Sequence, residues 1–214
     1  MRRARDAAGV INRYPARMEK TAGDAFDRDY FKRYYFSPAT RVTTPAEMKV
    51  RARLIGAVLA HAQLPVRRIV DAGCGIGLMR TAFKSVLPKA RYQGLEASDY
   101  LCRRYGWIRA SVADYRPEQP VDLLVCYDVL QYLDDAQAAR ALANFQRITR
   151  SALYFSALTR ADWRENCDRS LTDSNVHLRG GEWYRRRLRR HFKHLGCGVW
   201  VRRNVTVIRW ELES

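Results

Sequence analysis

Residues 66–87 read VRRIVDAGCGIGLMRTAFKSVL. A short apolar run ends in an acid, glycines follow at alternate positions (Gly73, Gly75, Gly77), and a helical repeat of apolar residues begins at once. Few folds accept that order. It calls for a buried strand that feeds a helix through a tight turn. Glycine lets the main chain turn there and leaves backbone bare where a ligand can approach.

The same unit recurs along the chain. Runs 90–98, 107–114, 121–129 and 151–159 read as further strands, and the first two of these end in an acid. Helical patterns lie at 99–106 and 134–149, and a basic one at 182–194. Ahead of the first strand, Thr44-Pro45-Ala46-Glu47 is a capping box with proline at the first helical position, opening a helix to about residue 64. Alternating strands and helices predict a parallel sheet with helices on both faces. Residues 197–213 read as two β runs separated near Arg203-Asn204 with no helix between them. A hairpin is expected there, adding antiparallel strands to the sheet. Residues 160–180 read as a polar loop. Residues 1–43 read as an N-terminal arm, charged and weakly periodic to about residue 25, and residues 44–214 as one α/β domain.

Composition narrows the function classes. The chain has 214 residues, 47% apolar and 29% charged, which is a globular mixture. No apolar run approaches the ~18 residues that span a bilayer, and no apolar stretch follows the basic N-terminus. Neither a membrane span nor a secretory signal is expected. The five cysteines form no CxxC pair, so neither a metal site nor a disulfide scaffold is suggested, and a reducing, cytoplasmic setting is expected. The formal charge of +17 raises the possibility of nucleic acid as a partner. However, 33 of the 39 basic residues are Arg, a bias that coding composition also produces, and only Trp183–Arg190 is dense in charge. That run reads either as a solvated helix face or as a nucleic-acid contact.

The glycine turn, G-x-G-x-G preceded by Asp71, resembles the first motif of the class I S-adenosylmethionine-dependent methyltransferases. Dinucleotide turns read G-x-G-x-x-G, and here the third glycine comes one residue early, which argues against a nicotinamide enzyme. Glu96 at the end of the second strand, Asp114 at the end of the third and Cys126-Tyr127-Asp128-Val129-Leu130-Gln131-Tyr132 after the fourth agree with that family in order and spacing. The resemblance covers about residues 45–160. It implies a Rossmann-like sheet of seven strands, mostly parallel, closed by an antiparallel hairpin. S-adenosyl-L-methionine is the implied cofactor, bound by Asp71, Gly73, Cys74, Gly75, Gly77, Glu96, Asp114, Tyr127 and Gln131. Glu96 is expected to accept both ribose hydroxyls and Asp114 to lie near the adenine amine.

The expected activity is methyl transfer to a small-molecule acceptor. The alternatives are an RNA or protein methyltransferase that uses the basic surface, and a non-catalytic binding protein with the same fold. Tyr30, Tyr34 and Arg41 are candidates for a lid over the cofactor; the same aromatics would also serve merely to pack the arm on the sheet. The acceptor pocket is expected from residues 156–177, including Trp163. If a proton must be removed, His177 and then Tyr127 are the candidate bases. Oligomeric state is left open.

Overall fold

The computed structural model describes residues 26–207. Seven strands form one sheet in the order β3-β2-β1-β4-β5-β7-β6. They are β1 Arg68–Ala72, β2 Arg91–Glu96, β3 Ile108–Arg109, β4 Val121–Tyr127, β5 Thr149–Ser156, β6 Phe192–Gly196 and β7 Val199–Arg202. β1 to β5 run parallel, and β7 is antiparallel to both β5 and β6. The helices are α1 Arg28–Phe31, α2 Pro45–His61, α3 Leu78–Val86, α4 Asp99–Tyr105, α5 Asp135–Ile148, α6 Arg160–Glu165 and α7 Gly181–Leu188.

Alternation along each strand divides the apolar residues between two cores. Leu123 and Val125 of β4 join Ile55 and Leu59 of α2 and Phe83 of α3 on one face. Leu124 and Cys126 join Leu142 and Phe145 of α5 and Leu188 of α7 on the other. Covering both faces lets β4 be apolar at nearly every position. Asp122 is the exception. It is buried, accepts the backbone N–H groups of Arg67 and Arg68 at 2.8 and 2.9 Å, and pairs with Arg150.

The fold and its helices on both faces match the sequence reading, and four local expectations are corrected. The third strand shrinks from 107–114 to Ile108–Arg109. The polar loop contains α6, whose N-terminus is closed by a Thr159–Asp162 capping box. The basic helix stops at Leu188 instead of reaching residue 194. The hairpin turn lies at Cys197-Gly198, not at Arg203-Asn204, so Phe192–Gly196 supplies the first hairpin strand. Both turn residues have positive φ, 48° and 78°, the backbone that a tight two-residue hairpin requires. The arm over residues 1–25 and the end of the second β run, over 208–213, lie outside the described residues. Among the described residues no helix is long and apolar enough to cross a membrane.

Candidate functional site

β1 lies between β2 and β4, and the chain runs outward through β2 and β3 before crossing back to β4 on β1's other side. The crevice at such a reversal, beyond the carboxyl ends of the strands, is where open α/β sheets hold ligands. A cleft of about 790 Å³ opens there, bounded by the glycine turn after β1, Tyr127 and Asp128 after β4, and Ser156 after β5. The volume lies in the range that buries a small ligand.

The glycine turn forms its floor. Gly73 has φ +69° and exposed backbone, and a Cβ there would come within 2.3 Å of Val129 Cγ2. Gly75, at φ +52°, would place a Cβ 3.8 Å from the Tyr35 ring. The turn is fastened from three sides. Leu95 O accepts the N–H groups of Gly73 and Cys74 at 2.9 and 3.0 Å, and the Trp107 indole donates to Gly75 O at 2.9 Å. Glu96 Oε2 accepts Gly75 N–H at 2.9 Å, while its Oε1 accepts Ala97 and Ser98 N–H at 2.8 and 3.0 Å. Three backbone donors fill most of that carboxylate's capacity of about four. Glu96 therefore has room for one further hydroxyl, where the sequence reading gave it two. Burial raises its pKa, and the three N–H donors oppose the shift.

Asp71 is buried at the end of β1 beneath the turn, hydrogen-bonded by the Tyr92 hydroxyl. Desolvation pushes its carboxyl up to about 7. On the β4 side, Asp128 holds a left-handed backbone at φ 53°, rare for a residue with a side chain. Its carboxyl is raised by burial, with the Tyr127 hydroxyl and the Arg51 charge pulling the other way. Arg51 of α2 lies 4.0 Å over the Tyr127 ring and donates to Tyr127 Oη at 3.0 Å and to Tyr154 Oη at 2.8 Å. Its Nε is buried and unpaired, and among the described residues no carboxylate pairs with it. Gln131 is 4% exposed, lines the cleft, and its Oε1 is likewise buried without a partner.

Residues 28–36 lie across the mouth as α1 and a π-helical turn. Tyr30 Oη meets Tyr132 Oη at 3.0 Å, and the Ser98 hydroxyl donates to Phe26 O at 2.5 Å. Tyr30, Tyr34 and Arg41 all line the cleft.

The structure brings Asp71, Gly73, Cys74, Gly75, Tyr127 and Gln131 to the cleft and leaves five of the expected residues off its lining, among them Glu96, which is buried against the Gly75 N–H. Asp114 is 69% exposed in its side chain and lies 3.9 Å from Arg140, because β3 ends five residues earlier. Gly77 caps α3 under the Trp107 ring. Trp163 meets the Arg169 guanidinium at 5.8 Å from its ring centroid and does not line the cleft. His177 is exposed, and only its backbone is held, donating to Gln131 O at 2.7 Å. It therefore does not reach the cleft as a base. Tyr127 reaches it, but burial and Asp128 raise its hydroxyl above the ordinary value, so it stays protonated. The residues that sequence reasoning missed are Arg51, Asp128 and Tyr132. One signal was available for Arg51: it lies between Met48 and Ile55 on the apolar stripe of α2, a cation where the core should continue.

This strand order, with a bare glycine turn at the switch point and an acid closing β2, is the fold of the class I S-adenosylmethionine-dependent methyltransferases. Among solved structures, the chain is similar to the N-methyltransferase NodS from Bradyrhizobium japonicum WM9 in complex with S-adenosyl-L-homocysteine, at TM-score 0.59 and 15% identity, covering 82% of this chain and 97% of that one. It is also similar to magnesium protoporphyrin IX methyltransferase from Synechocystis PCC 6803 with bound S-adenosylhomocysteine, at TM-score 0.58 and 16% identity, covering 84% and 97%. Streptomyces venezuelae DesVI aligns at TM-score 0.57 and 13% identity, covering 81% and 96%. In sequence, the chain is 32% identical over 81 residues to trans-aconitate 2-methyltransferase of Klebsiella pneumoniae (strain 342), a match over 35% of this chain. The match spans about a third (32%) of that relative's length. No protein-family model matches the chain.

Proposed function

We propose that this chain is an S-adenosylmethionine-dependent methyltransferase acting on a small-molecule acceptor. The observation that carries the reading is Arg51, whose Nε is buried and unpaired and which no carboxylate pairs with among the described residues, on the same cleft as the Gly73–Gly75 turn. Leaving such a group buried and unpaired costs about 1–3 kcal/mol, so a ligand that supplies an acceptor is favoured. S-adenosylmethionine fits that demand. Its carboxylate suits Arg51, whose guanidinium otherwise meets only phenols. The turn accepts a nucleoside against its main chain, Asp71 and Cys74 support it from below, and Glu96 has one lone-pair direction left for the ribose.

The bound sulfonium supplies an already activated methyl group. The protein's share is alignment and exclusion of water. Tyr30, Tyr34 and Tyr35 cover the mouth, and their aromatic faces suit a positive centre. The methyltransferases similar to this chain include enzymes named for a porphyrin and for trans-aconitate. A small acceptor agrees with a cleft whose lining carries six carboxylates and two guanidiniums, the reverse of what a nucleic-acid backbone needs. The Arg-rich helix α7 lies outside that lining. The five free thiols suit a reducing compartment, and we place the protein in the cytoplasm.

Calorimetry with S-adenosylhomocysteine tests the reading. Micromolar binding and a raised melting temperature are expected, with no response to NAD. No heat and no thermal shift with S-adenosylhomocysteine would sink it.

A further inference from the structure

The chain carries a formal charge of +17, yet the lining of its cleft is acidic. Glu47, Asp71, Asp128, Asp162, Asp168 and Asp173 line it, against Arg41 and Arg51. On the methyltransferase reading, Arg51 is answered by the cofactor's carboxylate, so acids outnumber the one remaining guanidinium, Arg41, along the lining. A cleft of one sign concentrates ligands of the other.

Acids alone do not define a ligand, but Gln131 does. Its Oε1 is an acceptor that nothing satisfies, on a side chain 4% exposed. The carbonyl of the same residue holds His177 N–H at 2.7 Å, which ties Gln131 to the 160–180 segment beyond β5. Next to it, Tyr132 meets Tyr30 at 3.0 Å, with Tyr34 packed on Tyr30 at 4.9 Å between ring centroids. Tyrosine faces, a carboxylate and a lone acceptor are together the surroundings that an N–H-rich cation seeks.

We propose that the methyl acceptor is a small molecule bearing an amine, protonated in solution, that donates to the Asp128 carboxylate and to Gln131 Oε1 beside the Tyr30–Tyr132 wall. Gln131 thereby serves the acceptor and not the cofactor, to which the sequence reading gave it. On transfer, the ammonium gives one proton to the Asp128 carboxylate, and the freed nitrogen pair forms the N–C bond. The C–S bond breaks with its pair kept by sulfur, so the sulfonium becomes a neutral thioether. Burial already holds the Asp128 carboxyl above its usual range, which suits it to keep that proton. The charged and titratable groups that face Asp128 are Tyr127, Arg51, Asp162, Tyr35, Tyr132 and Cys126, with the Ser156 hydroxyl at 3.5 Å.

The inference rests on the methyltransferase reading, so S-adenosylhomocysteine binding is measured first; its absence would sink that reading before this one is reached. The full chain, saturated with S-adenosylhomocysteine, is then titrated calorimetrically with three probes on one skeleton: cyclohexylmethylamine, cyclohexylmethanol and cyclohexanecarboxylate. The amine is expected to bind about tenfold more tightly than either of the others, the fold-change that one charge-assisted hydrogen bond provides. Asp128→Asn keeps a residue tolerant of the left-handed backbone and is expected to erase that preference. Gln131→Met is expected to weaken amine binding several-fold, and it decides the matter if Asp128→Asn does not fold. Equal or tighter binding of the alcohol or the carboxylate, no binding of the amine, or an amine preference untouched by the folded variants would overturn the proposal.

Discussion

Gly73 shows how one position can fix both backbone and site. Its φ is +69°, and an added Cβ would meet Val129 Cγ2 at 2.3 Å. Gly73→Ala is expected to destabilise the fold by about 1–3 kcal/mol in urea denaturation, from the left-handed backbone and the clash together. Adding Val129→Ala should recover only the clash. Asp71 makes a different prediction. Its carboxyl titrates at about 7 in the fold against 3.8 ordinarily, because it is desolvated. The folded state thus favours the protonated form. The associated stability is fully present below about 3.8 and is lost as pH rises through about 7. Asp71→Asn should flatten the fall in stability between those values, a difference on the order of 2–4 kcal/mol. An unchanged slope would place that titration elsewhere. The positions of Asp71, Gly73 and Glu96 were legible in sequence because they follow from standing at strand ends and from backbone chirality. Arg51 and Asp128 were not, because each acquires its role from contacts across elements, Arg51 with tyrosines 76 and 103 residues away.

Elements were legible where local signals were strong. The Thr44 capping box starts α2 as read, and Asp134 closes the N-terminus of α5 in the same way. The hairpin was misplaced because Cys197-Gly198 is not a familiar turn pair, and α6 was read as loop although Thr159 and Asp162 cap it. No sequence pattern announced Arg179, which ties together several elements beside the cleft. Only 4% exposed, it donates to Leu130 O at 2.9 Å and Leu133 O at 2.6 Å, and pairs with Asp135 at 2.7 Å. It clips the 160–180 segment to the turn that carries Gln131 and Tyr132. Arg179→Met strands those carbonyls and should cost about 2–4 kcal/mol by denaturation. Arg179→Lys should recover only part of this, since one ammonium cannot reproduce the guanidinium fork.

Across the whole molecule, the same 28–36 segment touches both halves of the cleft. Tyr35 covers Gly75 on the β1 side, and Tyr30 reaches Tyr132 on the β4 side. Phe31, 3% exposed, anchors the segment against Tyr35 and Tyr100, yet it belongs to neither of the two cores. Phe31→Ala should therefore speed S-adenosylhomocysteine release several-fold in stopped-flow measurements and leave the ligand-free denaturation midpoint almost where it was. Equal loss in both would make the segment an ordinary part of the core. On the proposed function, one segment spanning both sides of the cleft predicts an order of turnover. On the same reading, the spent nucleoside would leave once this segment moves, and the same movement would uncover the acceptor end of the cleft. The product should accordingly leave first or together with the nucleoside, and the next nucleoside should board before the next acceptor.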